Sequence, residues 1–275
     1  MGSEPILEAR AVTKIYPPRN GLWRRSGGAV TAVDAVSCSL AAGESLGLVG
    51  ESGCGKTTMA KLLVGLVPPS SGEILLHGKP LADLRRETLR EARRAVQLIF
   101  QNPLNSLNPR MTVEEMLSEP LLIHRLARGS ARRRRVVALL DAVQLPTAYG
   151  SRLPRQLSGG ECRRVGIARA LATEPEALIC DEPIASLDVS VGAQILTLLR
   201  TLRGQRGMAL LFISHDLGAV ASLCERVAVM QRGRLLELTP TEELLRQSRH
   251  PYTQLLIRAA QLDLDAAETP KGNEG

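Results

Sequence analysis

The sequence predicts an α/β fold: a core of parallel strands and helices, an antiparallel β portion near the N-terminus, and an inserted helical subdomain. Short apolar runs that end in glycine or acidic residues alternate with stretches of helical period, which is typical of an α/β core. Residues 4–12 and 29–40 instead alternate apolar and polar positions, which indicates two strands on either side of a loop rich in Pro, Gly and Arg. Residues 112–156 have helical period throughout, so we expect the helical subdomain there.

Four apolar runs predict strands of the core, and the chain is expected to divide into four parts. These runs are residues 44–50, 95–100, 177–180 and 209–214. A strand pair over 226–238 turns at Arg232–Gly233, and a helix-like stretch then leads into an acidic tail over 263–275 that we expect to be mobile. The expected divisions are an N-terminal part of the core with the antiparallel portion, the helical subdomain, a C-terminal part of the core and a C-terminal extension, over residues 1–101, 102–165, 166–238 and 239–275.

Composition and charge narrow the classes of partner. With 275 residues, of which 44% are hydrophobic, the chain can bury a large core. The formal net charge of +7 suits nucleic acid, anionic lipid headgroups or polyphosphate ligands. Aromatic residues make up only 2%, which disfavours a protein that binds nucleic acid by stacking bases on aromatic side chains. We therefore expect no nucleic-acid partner.

Cysteine spacing and hydropathy indicate the compartment. The cysteines form no Cys-x-x-Cys pair, which disfavours a structural zinc site or a disulfide scaffold and favours free thiols in a reducing compartment. They are Cys38, Cys54, Cys162, Cys180 and Cys224. No signal peptide is visible at the N-terminus, and no apolar run approaches the roughly 18 residues that span a bilayer. We expect the chain to reach a membrane only through a partner.

The first chemical motif is Gly50-Glu-Ser-Gly-Cys-Gly-Lys-Thr-Thr58, which fits G-x-x-x-x-G-K-[ST]. It follows a predicted strand and precedes a predicted helix, the context in which backbone N–H groups form a nest for a phosphate chain. Lys56 would reach the β- and γ-phosphates, and the Thr57 hydroxyl would bind Mg²⁺. The candidate nucleotide-binding residues in this phosphate loop are Gly50, Ser52, Gly53, Gly55, Lys56, Thr57 and Thr58.

The second motif is Ala177-Leu-Ile-Cys-Asp181-Glu182-Pro183, an apolar strand that ends in two carboxylates. At that position Asp181 could hold Mg²⁺ through water, and Glu182 would face the γ-phosphate as a general base for an attacking water. An apolar run before Asp-Glu is common by itself. Its presence together with the phosphate loop makes it informative.

The third motif is Leu157-Ser158-Gly159-Gly160-Glu161, directly before an amphipathic helix. A helix that begins with Ser-Gly-Gly offers a second anion-binding N-terminus, at Ser158, Gly159 and Gly160. Two phosphate-binding elements are redundant for one site. They are explained if two chains meet head-to-tail and each completes the site of the other.

In this order the three motifs resemble those of the ABC ATPase family, over roughly residues 4–260. The resemblance implies a RecA-like P-loop NTPase core that hydrolyses ATP with Mg²⁺. Gln101 resembles the Q-loop glutamine, which senses Mg²⁺ and the transporter, and His215 the switch histidine at the γ-phosphate. Ser186-Leu187-Asp188 resembles the D-loop, which contacts the partner cassette, and Tyr16 lies where the family places an aromatic residue on adenine. The implied catalytic residues are Glu182, His215 and Gln101, and the implied metal-binding residues are Thr57, Gln101 and Asp181.

Further segments resemble the ATPases of oligopeptide, dipeptide and nickel importers, and the second ATPase of those systems most closely. These segments are NPLNSLNPRMTV, GGECRRVGIARAL, SLDVSV and HPYTQLL. The resemblance implies a subunit peripheral to the bacterial inner membrane, on its cytoplasmic face, that powers import of a peptide, nickel or a metal chelate. The implied partners are a paralogous ATPase subunit in a head-to-tail dimer, two transmembrane permease subunits, and a periplasmic or lipid-anchored solute-binding protein. A homodimer is the alternative to the paralogous pair.

The sequence departs from this subfamily at two places. Glu161 stands where glutamine is usual, a change that keeps a hydrogen-bonding side chain. No cysteine follows Cys224, so we expect no iron–sulfur cluster of the kind that many members hold in a C-terminal segment.

Other functions within the family stay open at this point. An accessory ABC ATPase of phosphonate breakdown shares an ending like HPYTQLL. A nucleic-acid-associated ABC protein would explain the positive charge, but such proteins usually carry tandem cassettes, a coiled-coil insertion or zinc cysteines. A catalytically silent cassette is disfavoured because Lys56, Asp181, Glu182 and His215 are all present. The transported solute is not visible in the sequence.

Overall fold

The computed structural model describes residues 4–18, 28–101 and 107–268. Its strands are β1 Pro5–Tyr16, β2 Val30–Ala41, β3 Ser45–Val49, β4 Ser71–Leu76, β5 Lys79–Pro80, β6 Val96–Ile99, β7 Ala177–Asp181, β8 Ala209–Ser214, β9 Arg226–Gln231 and β10 Arg234–Pro240. Its helices are α1 Lys56–Leu63, α2 Arg86–Ala95, α3 Val113–Ile123, α4 Gly129–Ala142, α5 Gly159–Leu171, α6 Val189–Arg206, α7 Leu217–Leu223, α8 Thr241–Gln247 and α9 Pro251–Glu268. In these three ranges, no helix is both long and apolar enough to cross a membrane.

The larger of the two sheets in the described ranges has the strand order β10-β9-β3-β8-β7-β6. Strands β9, β3, β8, β7 and β6 run parallel, and β10 pairs antiparallel with β9 at one edge. Successive residues of β7 alternate between two hydrophobic clusters, with Leu178 and Cys180 in one and Ile179 in the other. Because the sheet is buried on both faces, its strands are continuous apolar runs rather than alternating ones.

The smaller sheet is antiparallel, with the order β2-β1-β4-β5. Helix α1 packs between the two sheets, since Met59 and Leu62 share one hydrophobic cluster with Leu7 of β1 and Leu211 of β8. The N-terminal end of α1, which carries Lys56 and Thr57, is thereby held firmly at one edge of the larger sheet.

Helices α3 and α4 form the helical part of the molecule, and they share a core with the larger sheet. Leu117 of α3, Leu140 of α4 and Ile167 of α5 belong to the same hydrophobic cluster as Phe212 of β8. Helix α3 begins at a reciprocal cap, in which Thr112 Oγ1 accepts from Glu115 N and Glu115 Oε2 accepts from Thr112 N. The helical part is therefore joined to the core by apolar packing.

The parallel register brings the ends of four strands to the same edge. Val49 of β3 pairs with Ser214 of β8, Asp181 of β7 with Ile213, and Ile99 of β6 with Cys180. The segments that follow β3, β6, β7 and β8 carry the phosphate loop, Gln101, Glu182 and His215. Ligands of open α/β sheets bind at this carboxyl edge.

Two sequence predictions about elements need correction. Strand β1 was predicted to end near residue 12, yet it pairs with β2 as far as Tyr16 opposite Val30. The pairing register shifts between Ala9 and Val12, and Ala11 adopts φ 45°, so a bulge interrupts the alternation on which the prediction rested. The tail predicted over 263–275 begins later than expected, because α9 continues as far as Glu268. Residues 269–275 of this tail lie outside the described ranges, as do residues 102–106 of the NPLNSLNPRMTV segment.

Candidate functional site

The loop between β3 and α1 approaches neighbouring strands too closely for side chains at two positions. A Cβ at Gly50 would lie 2.1 Å from the carbonyl oxygen of Met230, and one at Gly55 would lie 2.2 Å from that of Ala32. Gly55 also adopts φ 112°, in the region that glycine alone visits without strain. These glycines let the loop lie against β9 and β2, and consecutive backbone amides in a loop of this kind can bind an anion.

The phosphate loop lines an open cavity of about 320 Å³ at the carboxyl edge of the larger sheet. Lys56 is only 5% exposed, and its ammonium donates to the carbonyl oxygens of Gly50 at 2.7 Å and Glu51 at 3.0 Å. From the sequence-predicted set, the residues that line the cavity are Ser52, Gly53, Gly55, Lys56, Thr57, Thr58, Gln101 and Glu182. The structure therefore brings the first two motifs and Gln101 around one cavity.

Asp181 and Thr57 form a candidate metal site beside this cavity. Asp181 is 2% exposed, and its Oδ1 has no hydrogen-bond partner among the described residues. Burial raises the pKa of Asp181, while a hydrogen bond with the Thr57 side chain and the nearby Lys56 ammonium partly offset that rise. A buried carboxylate oxygen without a partner next to a threonine hydroxyl is an oxygen donor set that suits Mg²⁺, so these residues fit the metal.

The carboxylate of Glu182 lies between two of the other predicted residues. Gln101 Nε2 donates to Glu182 Oε2 at 3.0 Å, and His215 Nδ1 lies 3.4 Å from the same oxygen. Glu182 follows directly after β7 and adopts φ 47°, an uncommon backbone conformation for a residue other than glycine. The segments after β6 and β8 thus meet at a carboxylate that follows β7, and a carboxylate in this position can accept a proton from a water in the cavity.

The Ser158-Gly-Gly motif forms the start of α5 and does not line this cavity. Ser158 Oγ accepts from Glu161 N at 3.2 Å, and Glu161 Oε2 accepts from Ser158 N at 2.7 Å. The Tyr149 hydroxyl donates to Glu161 Oε1 at 2.8 Å. These hydrogen bonds lower the pKa of Glu161, and the bond from the Ser158 backbone N–H has the largest effect. Glu161, a departure from the subfamily, therefore forms a capping box and fixes the loop before α5.

Asp188 and Tyr16 are not among the residues that line the phosphate-loop cavity. Asp188 lines a second open cavity of about 440 Å³ between the starts of α6 and α7, and His215 lines this second cavity too. Tyr16 lies at the end of β1 and pairs with Val30, which lines the first cavity. The structure thus places Tyr16 at the rim of that cavity.

Two features of the site escaped the sequence prediction. Arg232 lines the phosphate-loop cavity from the turn between β9 and β10, where only the turn itself was predicted. Tyr252 lies near the start of α9, about 200 residues from the phosphate loop, and its hydroxyl accepts from the backbone N–H of Glu51 at 2.8 Å. The HPYTQLL segment contains Tyr252 and was noticed only as a subfamily feature. Nothing local in the sequence points to either contact.

We expect Tyr252→Phe to weaken ATP binding by about five-fold, because the N–H of Glu51 in the phosphate loop loses its acceptor and one such hydrogen bond contributes about 1 kcal/mol. The substitution removes one oxygen and leaves the ring that packs beside the core. Tyr149→Phe is the matched control, since it removes the same atom from a tyrosine whose partner, Glu161, lies outside the cavity. Equal ATP affinities of Tyr252→Phe and wild type in calorimetric titration would contradict this role.

Comparison with known proteins agrees with this geometry. The model of the ABC transporter family matches residues 33–185, more than half of the chain. A dimeric structure of the ATP-binding cassette MJ0796 in a post-hydrolysis state, bound to ADP and Pi, superposes with a TM-score of 0.75 at 28% identity, over 86% of this chain and 98% of that one.

Two curated relatives are similar over most of their length. The oligopeptide transport ATP-binding protein AppF of Bacillus subtilis (strain 168) is 45% identical over 92% of this chain and 78% of its own. The oligopeptide transport ATP-binding protein OppF of Haemophilus influenzae (strain ATCC 51907 / DSM 11121 / KW20 / Rd) is 45% identical over 88% of this chain and 74% of its own. The chain therefore belongs to the ABC transporter family and is one of its ATP-binding, ATP-hydrolysing subunits.

Proposed function

We propose that this ATPase subunit powers the import of peptides across the bacterial inner membrane. The support is its 45% identity to two proteins named for oligopeptide transport. In this proposal the chain lies on the cytoplasmic face, peripheral to the membrane, and binds two transmembrane permease subunits. A periplasmic or lipid-anchored solute-binding protein supplies the peptide.

Glu182 acts as the general base in the proposed reaction. Its carboxylate accepts a proton from water as the water attacks the γ-phosphorus in line with the leaving β-phosphate oxygen, so that ADP and inorganic phosphate form. Gln101 and His215 orient this carboxylate through its Oε2. Lys56 and the amides of the phosphate loop hold the phosphate chain and offset its charge. The single observation that supports this role best is the convergence of Gln101 and His215 on Glu182 at the wall of the phosphate-loop cavity.

Thr57, Asp181 and Gln101 are the residues proposed to hold Mg²⁺. The metal, when bound with the nucleotide, neutralises charge on the phosphate oxygens. The unpartnered Oδ1 of Asp181 and the neighbouring Thr57 hydroxyl support this assignment. The protein's own contribution is to bury Asp181 so that its carboxylate keeps one orientation.

We further propose that each ATP is bound between two cassettes, by the phosphate loop of one and Ser158-Gly159-Gly160 of the other. In a single chain the start of α5 lies apart from the phosphate-loop cavity, which agrees with a role toward another chain. The structurally similar cassette MJ0796 is dimeric with ADP and Pi. Asp188 and the second cavity would face the same partner, a paralogous ATPase subunit or a second copy of this chain.

Reconstitution of the complete transporter in liposomes tests the import function. We expect a labelled oligopeptide to accumulate inside the vesicles, in the direction set by the solute-binding protein, only when ATP is present on the cassette side. The Glu182→Gln variant is the matched control and should abolish uptake while leaving the complex assembled. Uptake of Ni²⁺ without uptake of peptide would contradict the proposed solute, and failure of the chain to assemble with membrane subunits would favour the accessory ATPase.

A further inference from the structure

Arg163 is a buried guanidinium within α5 that contacts the catalytic segments through backbone oxygens. It is 3% exposed, and Nη1 donates to the carbonyl oxygen of Gln101 at 2.6 Å. Nη2 donates to the carbonyl oxygen of Ala185 at 3.2 Å, and Nη1 also lies 3.5 Å from that of Glu182. No carboxylate forms an ion pair with Arg163 within the described ranges, and burial lowers the pKa of this guanidinium. Among the described residues, the hydrogen-bond acceptors of this guanidinium are carbonyl oxygens.

The turn that Arg163 contacts has an unusual backbone. Glu182 adopts φ 47° and Ser186 adopts φ 61°, so a left-handed residue lies at each end of the turn. Such conformations cost free energy and persist where the surrounding contacts fix them. Internal hydrogen bonds of the turn are few and long, from Ala185 N to Glu182 O at 3.2 Å and from Leu187 N to Ile184 O at 3.3 Å. The guanidinium of Arg163 supplies further hydrogen bonds, from α5, to the carbonyl oxygens of this turn.

The same residue joins this turn to the helix that begins at Ser158. Arg163 lies one turn into α5, close to the Ser158-Gly159-Gly160 start, and its side chain reaches the backbone of Gln101 and of Glu182–Ala185. We propose that Arg163 is a positioning residue that fixes the backbone behind the catalytic carboxylate to the helix that carries the Ser-Gly-Gly motif. This inference rests on the proposed role of Glu182. In the proposed dimer the start of α5 faces a partner cassette. Arg163 would then connect this helix directly to the backbone segment that carries the chain's own general base, Glu182.

The neighbouring Arg164 is a matched control within the same helix. It is 9% exposed, and it too donates three hydrogen bonds through its guanidinium. Its acceptors are the carbonyl oxygen of Val143 and the side-chain oxygens of Gln144 and Gln194, which lie outside the phosphate-loop cavity. The loss of either guanidinium removes a buried charge and three contacts, so the two losses differ chiefly in which segments they release.

The test compares Arg163→Met with Arg164→Met in the purified full chain, with ATP turnover expressed per folded protein. We expect similar falls in melting temperature for both variants. For Arg163→Met we expect kcat to fall about 100-fold, because a small displacement of a catalytic group has that effect. Its KM for ATP should stay within about two-fold, since Arg163 does not touch the phosphate loop. For Arg164→Met we expect kcat near wild type. If a methionine variant does not fold, Arg163→Lys and Arg164→Lys give the same comparison, because lysine keeps the charge but not the planar fork.

Backbone amide exchange supplies a readout that does not depend on catalysis. We expect the amides of Ala185 and Leu187 to exchange faster in Arg163→Met than in Arg164→Met. Equal kcat values for the two variants together with equal exchange at these amides would overturn the inference. A Glu182→Gln variant measured in parallel separates the two proposals: if it retains turnover, the base assignment fails, and the exchange at Ala185 and Leu187 still decides whether Arg163 fixes the turn.

Discussion

Replacing Glu182 with glutamine is expected to lower kcat for ATP hydrolysis about 1000-fold, because the amide cannot accept the proton of the attacking water. Glutamine keeps the size of the side chain and an oxygen that can accept from Gln101 Nε2. We therefore expect the KM for ATP and the melting temperature to change little. Steady-state phosphate release at saturating Mg²⁺–ATP measures the effect.

The control for Glu182→Gln is Glu174→Gln. Glu174 is a surface carboxylate that pairs with Arg135 at 2.7 Å, remote from the phosphate-loop cavity. Surface ion pairs contribute about 0–1 kcal/mol, so this variant should hydrolyse ATP as wild type does. Turnover of Glu182→Gln within a few-fold of wild type would show that another group activates the water.

Asp181→Asn is expected to lower kcat about 100-fold and to raise the Mg²⁺ concentration needed for half-maximal turnover, since a neutral amide binds the metal weakly. Asn occupies the same volume, so the fold should be preserved. Titration of turnover with Mg²⁺ measures both changes. An unchanged Mg²⁺ requirement would contradict the assignment of Asp181 as a metal-binding residue.

The same substitution should stabilise the protein in the absence of Mg²⁺ and nucleotide. Burial raises the pKa of Asp181, so the folded state holds its proton more tightly than the unfolded chain does. The free energy of unfolding therefore falls as pH rises from the unfolded pKa of about 3.9 to the raised folded value. At pH 7.5 Asp181→Asn should melt at a higher temperature than wild type. That difference should vanish well below pH 4, where Asp181 is neutral in both states. Thermal melts across this range test the sign.

The elements proposed to hold the nucleotide were predictable because each has a local signature. The apolar strand before Gly50, the glycines of the loop and the helical period after Lys56 identify strand, loop and helix from adjacent residues. The same holds for β7, whose five residues are all buried before Glu182. Parallel pairing then dictates that these loops meet at one edge, which the register confirms. The residue roles themselves stay predictions.

The contacts that surround these elements could not be read from adjacent residues. Tyr252 meets Glu51 across about 200 residues of chain, and Arg163 meets Gln101 across about 60. In both pairs a side chain contacts a backbone group. Because almost every residue type carries the same backbone N–H and carbonyl groups, the type of the partner residue does not indicate the contact. Strand β1 illustrates the same limit, since a bulge at Ala11 breaks the alternating pattern while cross-strand pairing continues. Long-range packing decides such features.

The most direct test of the composite ATP site is the solution mass of the Glu182→Gln chain, with and without ATP, by size-exclusion chromatography with light scattering. It is measured for the chain alone and together with the proposed paralogous ATPase subunit. We expect ATP to convert single chains into a dimer, and we expect Lys56→Ala and Ser158→Arg each to prevent this conversion when added to Glu182→Gln. A chain that binds ATP tightly yet remains a monomer in both mixtures would contradict an ATP site shared between two cassettes.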